Sequence, residues 1–355
     1  MSNIRFAFIF VVAVGACANQ SSSPNANDVA STGNSNKHYP ALATGGAHHR
    51  CGWMFTIDAE AKASFLAHPE YFDAIHPVWY ALQADGVTLR TITDADDPEV
   101  LAAARAHHVA VIPLVASVDD ITWVRGMLTD PVKRFAHIQT LVNLADSHGY
   151  DGLELDYEHL WEASDHDGLA AFIPAFSAAM HAAGKVTSMA VPALDGPSPS
   201  WDYALLASTL DTAHVMAYDF HTIGTHAGPT SPLGWIQAVA ANIAAGGHPE
   251  RFSLGIPNYG VSPSTSCQLA HCPASCTGPI SPTTDEMTSC PSNDKGYLSG
   301  RAPHCTAGAE ELYFDDVQSL EEKVAAARAA GLGGVAYYNL GGEPDGLLEM
   351  VKRYY

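Results

Sequence analysis

Four carboxylates lie close together in residues 151–158, and their spacing is suited to acid–base chemistry. From Leu153 onward apolar and acidic residues alternate, so in a β-strand Glu154, Asp156 and Glu158 share one face. Successive residues on one face are about 6 to 7 Å apart. Carboxyl groups this close, shielded from water, raise one another's proton affinity and share protons. We expect Glu158 to transfer a proton to a substrate, with Asp156 orienting it.

A solvated strand edge would explain the same alternation of leucine and acid without any chemistry. The segment lies in the middle of a series of strand-like and helical stretches, where an interior position is expected. Unpaired acids inside a protein are costly unless they serve a function. We therefore favour a functional site that faces the interior.

The rest of the chain predicts the scaffold for this site. Short apolar runs alternate with alanine-rich helical stretches such as residues 98–106, 131–148, 168–183, 232–245 and 317–330, which is typical of parallel strands joined by helices. The predicted strands are eight in number: residues 52–57, 77–83, 109–116, 152–158, 186–192, 212–218, 252–257 and 334–339. This pattern predicts an α/β protein of the (β/α)8 TIM barrel class, with the site at the carboxyl ends of the strands. The alternative, an open doubly wound sheet, would need a glycine-rich phosphate loop after its first strand, and residues 51–54 do not supply one.

Residues 262 to about 309 interrupt the alternation of strands and helices. They are rich in Pro, Ser, Thr and Cys and predict a disulfide-rich insertion between strands 7 and 8. Without Cys17 the chain has an even set of six cysteines, so three disulfides can form, and their pairing stays open. The insertion is expected on the face that carries the site, either as a cleft wall or as a loop without a role in function.

The N-terminal residues predict export. Residues 1–17 have Arg5, a short apolar run and small residues before Cys17, which is typical of a signal peptide. Its end resembles a bacterial lipobox, and this resemblance implies lipidation of Cys17; cleavage without lipidation is the alternative. Residues 18–45 are polar and predict a disordered tether, and residues 46–355 form the barrel domain. We expect a cell-envelope lipoprotein or a secreted protein.

Charge excludes several classes of partner. The 38 acidic and 17 basic residues give a formal net charge of -21, which would repel nucleic acid and anionic membrane surfaces. Contact with a membrane is expected only through the N-terminal lipid. We expect a monomer that uses no cofactor and has no metal ligands.

Residues 151–158 resemble the DxxDxDxE signature of glycoside hydrolase family 18, which contains chitinases and related enzymes that cleave N-acetylglucosamine polymers. Four further segments are similar to the family: residues 216–219, its MxYD motif; residues 254–260, its seventh strand; residues 313–316, its aspartate-rich turn; and residues 333–338, its last strand. The resemblance covers essentially the whole chain from Cys51 onward.

This resemblance implies a substrate-assisted retaining glycosidase. Glu158 would be the general acid, Asp156 its partner, and Tyr218 the hydroxyl that steadies the acetamido group of the substrate. The substrate's own N-acetyl oxygen would attack, so no enzyme nucleophile is needed. The residues expected to bind substrate are Asp219, Met216, Glu154, Tyr259 and Tyr338.

The chain departs from the family pattern at three places. Glu154 is expected to alter the proton relay through the acid cluster, whereas Tyr338 and residues 112–115 favour the family's peptidoglycan-directed and spore-germination-like branch. Glu154 stands where the family usually has aspartate, and Tyr338 stands where many members have tryptophan. Residues 112–115 replace a glycine-rich stretch that is common in chitinases. Chitin, its oligosaccharides and peptidoglycan all stay open as substrates, and a weakly active or inactive glycan-binding lectin is the alternative function.

Other side chains near the predicted strand ends are weaker candidates. Tryptophans there could stack on sugars, although large aromatics more often belong to the core: Trp53, Trp79, Trp161 and Trp235. His221 and His226 follow the sixth strand and are more simply explained as loop histidines.

Overall fold

The computed structural model describes residues 49–283 and 301–355. The predicted signal peptide, Cys17 and the predicted tether lie outside the described residues, as does Cys290. These predictions therefore stay predictions. Within the described ranges, no helix is long and apolar enough to cross a membrane.

The described residues form strands, helices and three short 3-10 turns. The strands are β1 His49–Met54, β2 Ala74–Leu82, β3 Leu89–Thr91, β4 Ala110–Val111, β5 Leu114–Ala116, β6 Gly152–Asp156, β7 Val186–Pro192, β8 Thr212–Met216, β9 Phe252–Pro257, β10 Tyr259–Val261, β11 Ser266–Gln268, β12 Ser281–Thr283, β13 Arg301–Ala307, β14 Glu310–Tyr313 and β15 Gly334–Tyr338. The helices are α1 Ala59–Ala67, α2 Pro98–His107, α3 Ile121–Thr129, α4 Pro131–His148, α5 Ala163–Ala182, α6 Tyr203–Thr209, α7 Leu233–Gly246, α8 Val317–Ala329 and α9 Leu347–Lys352.

The parallel strands close into a barrel, which confirms the predicted fold class. Their order around the barrel is β1, β15, β9, β8, β7, β6, β5 and β2, and β2 pairs with β1 again. Cys51 of β1 therefore pairs with Ala336 on one side and with Ala74 on the other. The third predicted strand is divided into β4 and β5, because Pro113 between them has no N–H to donate to a neighbouring strand.

The strands have two different faces. On β6, Leu153 and Leu155 are fully buried in the apolar layer between strands and helices. The opposite face looks into the barrel, where Trp53 and Tyr218 belong to a separate buried cluster. The alternation in β6 thus directs Glu154 and Asp156 inward, as predicted from the sequence.

Local signals set the ends of the helices. The helix predicted at residues 131–148 coincides with α4: the Asp130 side chain accepts from the backbone N–H groups of Val132 and Lys133, and Gly149 ends the helix with a φ of 70°. In contrast, α5 begins five residues before the predicted start at Gly168, because Glu162 and Asp165 form a capping box there.

The insertion between the seventh and eighth barrel strands is confirmed, and it contains more regular structure than its sequence predicts. Its described part is an antiparallel sheet in the order β11, β10, β14, β13 and β12. Two disulfides hold it, Cys267–Cys272 and Cys276–Cys305. Among the described cysteines only Cys51 is free, and it is buried in the barrel, so it belongs to no disulfide of the insertion.

Candidate active site

The acids of β6 lie at three depths along the strand. Asp151 lies at the strand's start, where its Oδ2 accepts from the backbone N–H of Val111 at 2.8 Å and ties β6 to β4. Glu154 is fully buried inside the barrel, while Asp156 and Glu158 are half-buried towards the carboxyl end of the strand. The last two carboxyl groups are thus the ones within reach of a molecule at the mouth of the barrel.

Asp156 and Glu158 form a proton-sharing pair. Each carboxyl group acts on the pKa of the other through a side-chain hydrogen bond, and Asp156 Oδ1 is buried with no hydrogen-bond partner among the residues that the structure describes. Burial, reinforced by the carboxylates of Glu158 and Glu154, raises the pKa of Asp156 well above its usual range. Burial and the negative charge of Asp219 raise the pKa of Glu158 to about 7, although the hydrogen bond with Asp156 opposes the rise. The pair therefore retains a proton at neutral pH, as an acid catalyst must.

Glu154 differs from its expected role as a substrate-binding carboxylate. Both of its oxygens face protein groups: Trp53 Nε1 donates to Oε2 at 2.9 Å, and His214 Nδ1 bonds Oε1 at 2.7 Å. His76 Nδ1 lies 2.8 Å from Oε2 without the alignment of a hydrogen bond. Burial alone would raise the pKa of Glu154, but the charges of His76 and His214 hold that pKa well below its usual range. Glu154 is thus an ionised interior group and does not share the proton of Asp156 and Glu158.

A second group of site residues lies just after the end of β8. Tyr218 is buried, and burial raises the pKa of its hydroxyl well above the usual range, with smaller contributions from Tyr338 and the nearby acids. The hydroxyl therefore stays a hydrogen-bond donor. Asp219 follows with a left-handed φ of 59°, which turns its side chain towards Tyr259. Tyr259 donates its hydroxyl to Asp219 Oδ1 at 2.5 Å, and burial raises the pKa of Asp219 to about 6.

Aromatic rings line this end of the barrel beside the acids. The rings of Tyr218 and Tyr338 stack with centroids 5.0 Å apart and planes 15° apart. Trp53 meets Tyr338 edge-on at 5.9 Å, and Tyr259 does the same at 6.1 Å. Met216 is half-buried against this cluster. The predicted residues on β6, β8, β10 and β15 are therefore brought together, and flat apolar faces of this kind suit the faces of sugar rings.

Apart from Trp53, which contacts Glu154 and Tyr338, the weaker candidates lie outside the site. Trp79 and Trp235 are buried in the outer core, and His221 Nδ1 bonds the carbonyl oxygen of Pro229 at 3.0 Å within its own loop. His226 is exposed. Trp161 is 50 % exposed in the loop that follows Glu158, so it is the one of the four tryptophans named from the sequence that is open to solvent.

Sequence reasoning missed the two histidines that hold Glu154. His76 was overlooked because the predicted second strand began one residue later, at residue 77, whereas β2 begins at Ala74. His214 lay inside the predicted sixth strand and has the same parity as Met216 and Tyr218. Alternation on that strand was therefore a signal that could have placed His214 in the barrel interior.

As a whole, the arrangement has three chemical parts. It offers a proton held near neutral pH by Asp156 and Glu158, a neutral hydroxyl donor in Tyr218, and an aromatic surface. A proton donor beside a fixed donor for developing charge is suited to cleavage of a bond to oxygen.

Comparison with known proteins gives one family. The family described as glycosyl hydrolases family 18 matches residues 100–343. A class V chitinase of Arabidopsis thaliana is 25% identical over 274 residues, which cover 66% of this chain and 69% of the plant protein. The sporulation-specific glycosylase YdhD of Bacillus subtilis is 26% identical over 195 residues, 54% of this chain but only 46% of its own length. The chain thus spans about half of that relative.

Solved structures show the same fold. A chitinase from Chromobacterium violaceum superimposes with a TM-score of 0.75 at 19% identity, covering 86% of this chain and 98% of that one. The spore cortex-lytic enzyme SleL of Bacillus cereus gives a TM-score of 0.74 at 15% identity, covering 87% of this chain and 74% of the enzyme.

Proposed function

Because this chain belongs to the glycosyl hydrolases family 18, we propose that it is a glycosidase that cleaves β-1,4-linked N-acetylglucosamine polymers with Glu158 as the general acid. The observation that carries this proposal is the proton-sharing pair of Asp156 and Glu158 beside the hydroxyl of Tyr218. Glu158 is half-buried at the barrel mouth, and its pKa of about 7 keeps it partly protonated at neutral pH.

The neighbouring carboxyl groups favour a substrate-assisted route. A retaining enzyme that uses its own nucleophile needs an ionised carboxylate across the scissile bond, about 5 to 5.5 Å from the acid. Asp156, the last residue of β6, shares a proton with Glu158 just beyond the strand, and Asp219 accepts a hydrogen bond from Tyr259. In the proposed first step, Glu158 protonates the leaving oxygen while the substrate's N-acetyl oxygen attacks the anomeric carbon.

In the second step the bond to the N-acetyl oxygen is broken by water. Tyr218 donates to the acetamido group and Asp156 balances the positive charge of the oxazolinium ion. Glu158, now ionised, takes a proton from the attacking water, which regenerates the acid form.

We expect chitin oligosaccharides and purified peptidoglycan, tested side by side, to reveal the substrate through the release of reducing ends. The names of the relatives, chitinase and spore cortex-lytic enzyme, support both polymers as candidates. Proton NMR of the first product should show the β-anomer, because two successive displacements retain configuration.

An initial α-anomer would contradict the retaining mechanism. Binding of either polymer without any release of reducing ends would instead support a glycan-binding lectin.

The pH dependence of kcat/KM should report the proton on Glu158. We expect kcat/KM to fall as the pH rises through about 7, since the acid is then deprotonated. In Asp219→Asn the negative charge that raises the pKa of Glu158 is removed, so the alkaline limb should move to lower pH by roughly 1 unit. Asparagine also tolerates the left-handed backbone at this position.

The matched control is Asp202→Asn, because Asp202 is exposed and caps α6, where asparagine caps equally well. Its alkaline limb should stay in place. A shift of equal size in both variants, or a shift of the Asp219→Asn limb to higher pH, would refute the assignment.

We also propose that the protein works outside the cytoplasm. The two disulfides of the insertion support this location, because such bonds persist in oxidising compartments. The predicted lipid anchor at Cys17 would then hold the barrel at the cell envelope.

A further inference from the structure

A second polar cluster lies inside the barrel, deeper than Asp156 and Glu158. Cys51 of β1, His76 of β2 and His214 of β8 each offer one potential ligand atom, and these atoms lie within 4.8 Å of one another. The three side chains are no more than 2 % exposed. The proposed reaction uses none of them.

Glu154 determines which atoms of this cluster are available. Its two oxygens lie 2.7 Å from His214 Nδ1 and 2.8 Å from His76 Nδ1. Glu154 therefore faces the Nδ1 atoms of both rings. When the rings are neutral, a proton on each Nδ1 leaves the Nε2 lone pairs free to bind a metal ion.

Both Nε2 atoms lack a hydrogen-bond partner among the described residues, although they are buried. Leaving a buried polar atom unpaired is energetically costly, so two together in one cluster need a physical explanation. The Cys51 thiol is free and lies in the same cluster.

We propose that Cys51 Sγ, His76 Nε2 and His214 Nε2 bind a zinc ion in the interior of the barrel. One thiolate and two imidazoles form a ligand set that zinc prefers, and a carboxylate behind the ligating histidines is the usual outer support for such a site. The Cys51 proton is released when its sulfur binds the metal, and a water molecule completes four-coordination.

The dimensions of the cluster fit this proposal. Zinc bonds of about 2.3 Å to sulfur and 2.0 to 2.1 Å to nitrogen place tetrahedral ligands about 3.3 to 3.6 Å apart. The three side chains would therefore close by about 1 Å from their present limit of 4.8 Å, which small side-chain rotations supply.

The ion would connect β1, β2 and β8 and fix the carboxylate of Glu154. The same carboxylate accepts from Trp53 Nε1, and the Trp53 ring packs edge-on against Tyr218 and Tyr338. The role we infer is therefore structural: the metal fixes Glu154 and Trp53, which lie beneath the aromatic rings of the site.

The test measures metal in the full chain, produced without a histidine tag and washed with EDTA to remove exposed ions. We expect about one equivalent of zinc, released only when the protein is unfolded. Refolding with cobalt(II) should give the absorption of tetrahedral cobalt together with a thiolate-to-cobalt charge-transfer band. The zinc-loaded protein should also unfold at a higher temperature than protein refolded with EDTA.

Variants identify the ligands. Cys51→Ser should lose the charge-transfer band, and His76→Gln should lose at least about ten-fold in metal affinity. His137→Gln is the matched control, because both nitrogens of this buried histidine already bond Val87 O and Tyr157 Oη.

Three results would overturn the proposal. The first is protein that binds no metal either as isolated or after refolding with zinc and whose unfolding temperature is unchanged; a buried water would then satisfy the two nitrogens. The second is a cobalt spectrum of the unaltered protein that lacks the thiolate band. This measurement does not depend on the folding of any variant. Equal metal binding in Cys51→Ser, His76→Gln and His137→Gln would also place the metal at another site.

Discussion

Replacing Glu158 by glutamine is expected to lower kcat by about 10³-fold or more on whichever polymer is cleaved. Glutamine keeps the size of the side chain but has no acidic proton to give to the leaving oxygen and cannot later activate water. The measurement is the initial rate of reducing-end release at pH 6, below the pKa of about 7 at which Glu158 loses its proton. Binding of the polymer should be retained.

The matched control is Glu162→Gln, four residues further along the same loop, where the side chain is 64% exposed. This variant should turn over at nearly the rate of the unaltered protein. Equal activity of Glu158→Gln and the unaltered protein would remove Glu158 from the mechanism.

Stability provides an independent check on the same variant. The folded protein binds a proton at Glu158 up to a pH of about 7, whereas an unfolded glutamate releases it near pH 4.3. Between these values the folded state holds more protons, so the contribution of Glu158 to the free energy of unfolding falls as the pH rises. Glu158→Gln should therefore be more stable than the unaltered protein at pH 8, and the difference should shrink at pH 4.

Tyr218→Phe is expected to have the second largest effect, a loss of about 10²- to 10³-fold in kcat. Burial keeps the Tyr218 hydroxyl protonated, so it can donate to the acetamido group as charge develops there. If this hydrogen bond strengthens in the transition state, kcat falls while KM changes little. Steady-state kinetics on chitin oligosaccharides or soluble peptidoglycan fragments would separate the two constants.

Tyr157→Phe makes the same change on the outer face of the barrel. The Tyr157 hydroxyl bonds His137 Nε2 at 2.6 Å, away from the interior. We expect this variant to lose about 1 kcal/mol in stability and to keep its kcat. Comparable losses of kcat in both tyrosine variants would mean that the hydroxyl of Tyr218 has no special role.

The sequence predicted the barrel and much of the site for a physical reason. Alternation in β6 and the two residues that follow it places Glu154, Asp156 and Glu158 on one face, and in a parallel barrel strand that face looks inward. The same rule groups Met216 with Tyr218 on the strand β8 and its extension. Because parallel strands end on one side of the barrel, residues far apart in the chain could be expected to meet.

The electrostatic state of Glu154 could not be predicted in the same way. It depends on His76 and His214, which come from strands on either side of the barrel interior, and on how close their rings lie. From β6 alone, three carboxylates without cations were expected to share protons. The two histidines keep Glu154 ionised and leave proton sharing to Asp156 and Glu158.

The sheet of the insertion could not be predicted from the sequence, for a different reason. Its strands are short, and its composition is that of a loop, so periodicity gives little signal. Long-range pairing creates the order: Val261 pairs with Tyr313, and Cys276 is bonded to Cys305. Neither partner can be chosen from spacing alone.

The insertion sheet also determines where chimaeras of this protein with related barrels can be joined. Tyr259, which donates to Asp219, is the first residue of β10 and pairs with Gln268 of β11. At the next position, a Cβ on Gly260 would lie 2.8 Å from Cys272 Sγ, so backbone and disulfide pack together without room for a side chain. A chimaera joined after residue 262 would separate Tyr259 from the strands that hold it. The smallest transferable module therefore runs from β10 through β14, and any exchange of this insertion also exchanges the hydrogen bond from Tyr259 to Asp219.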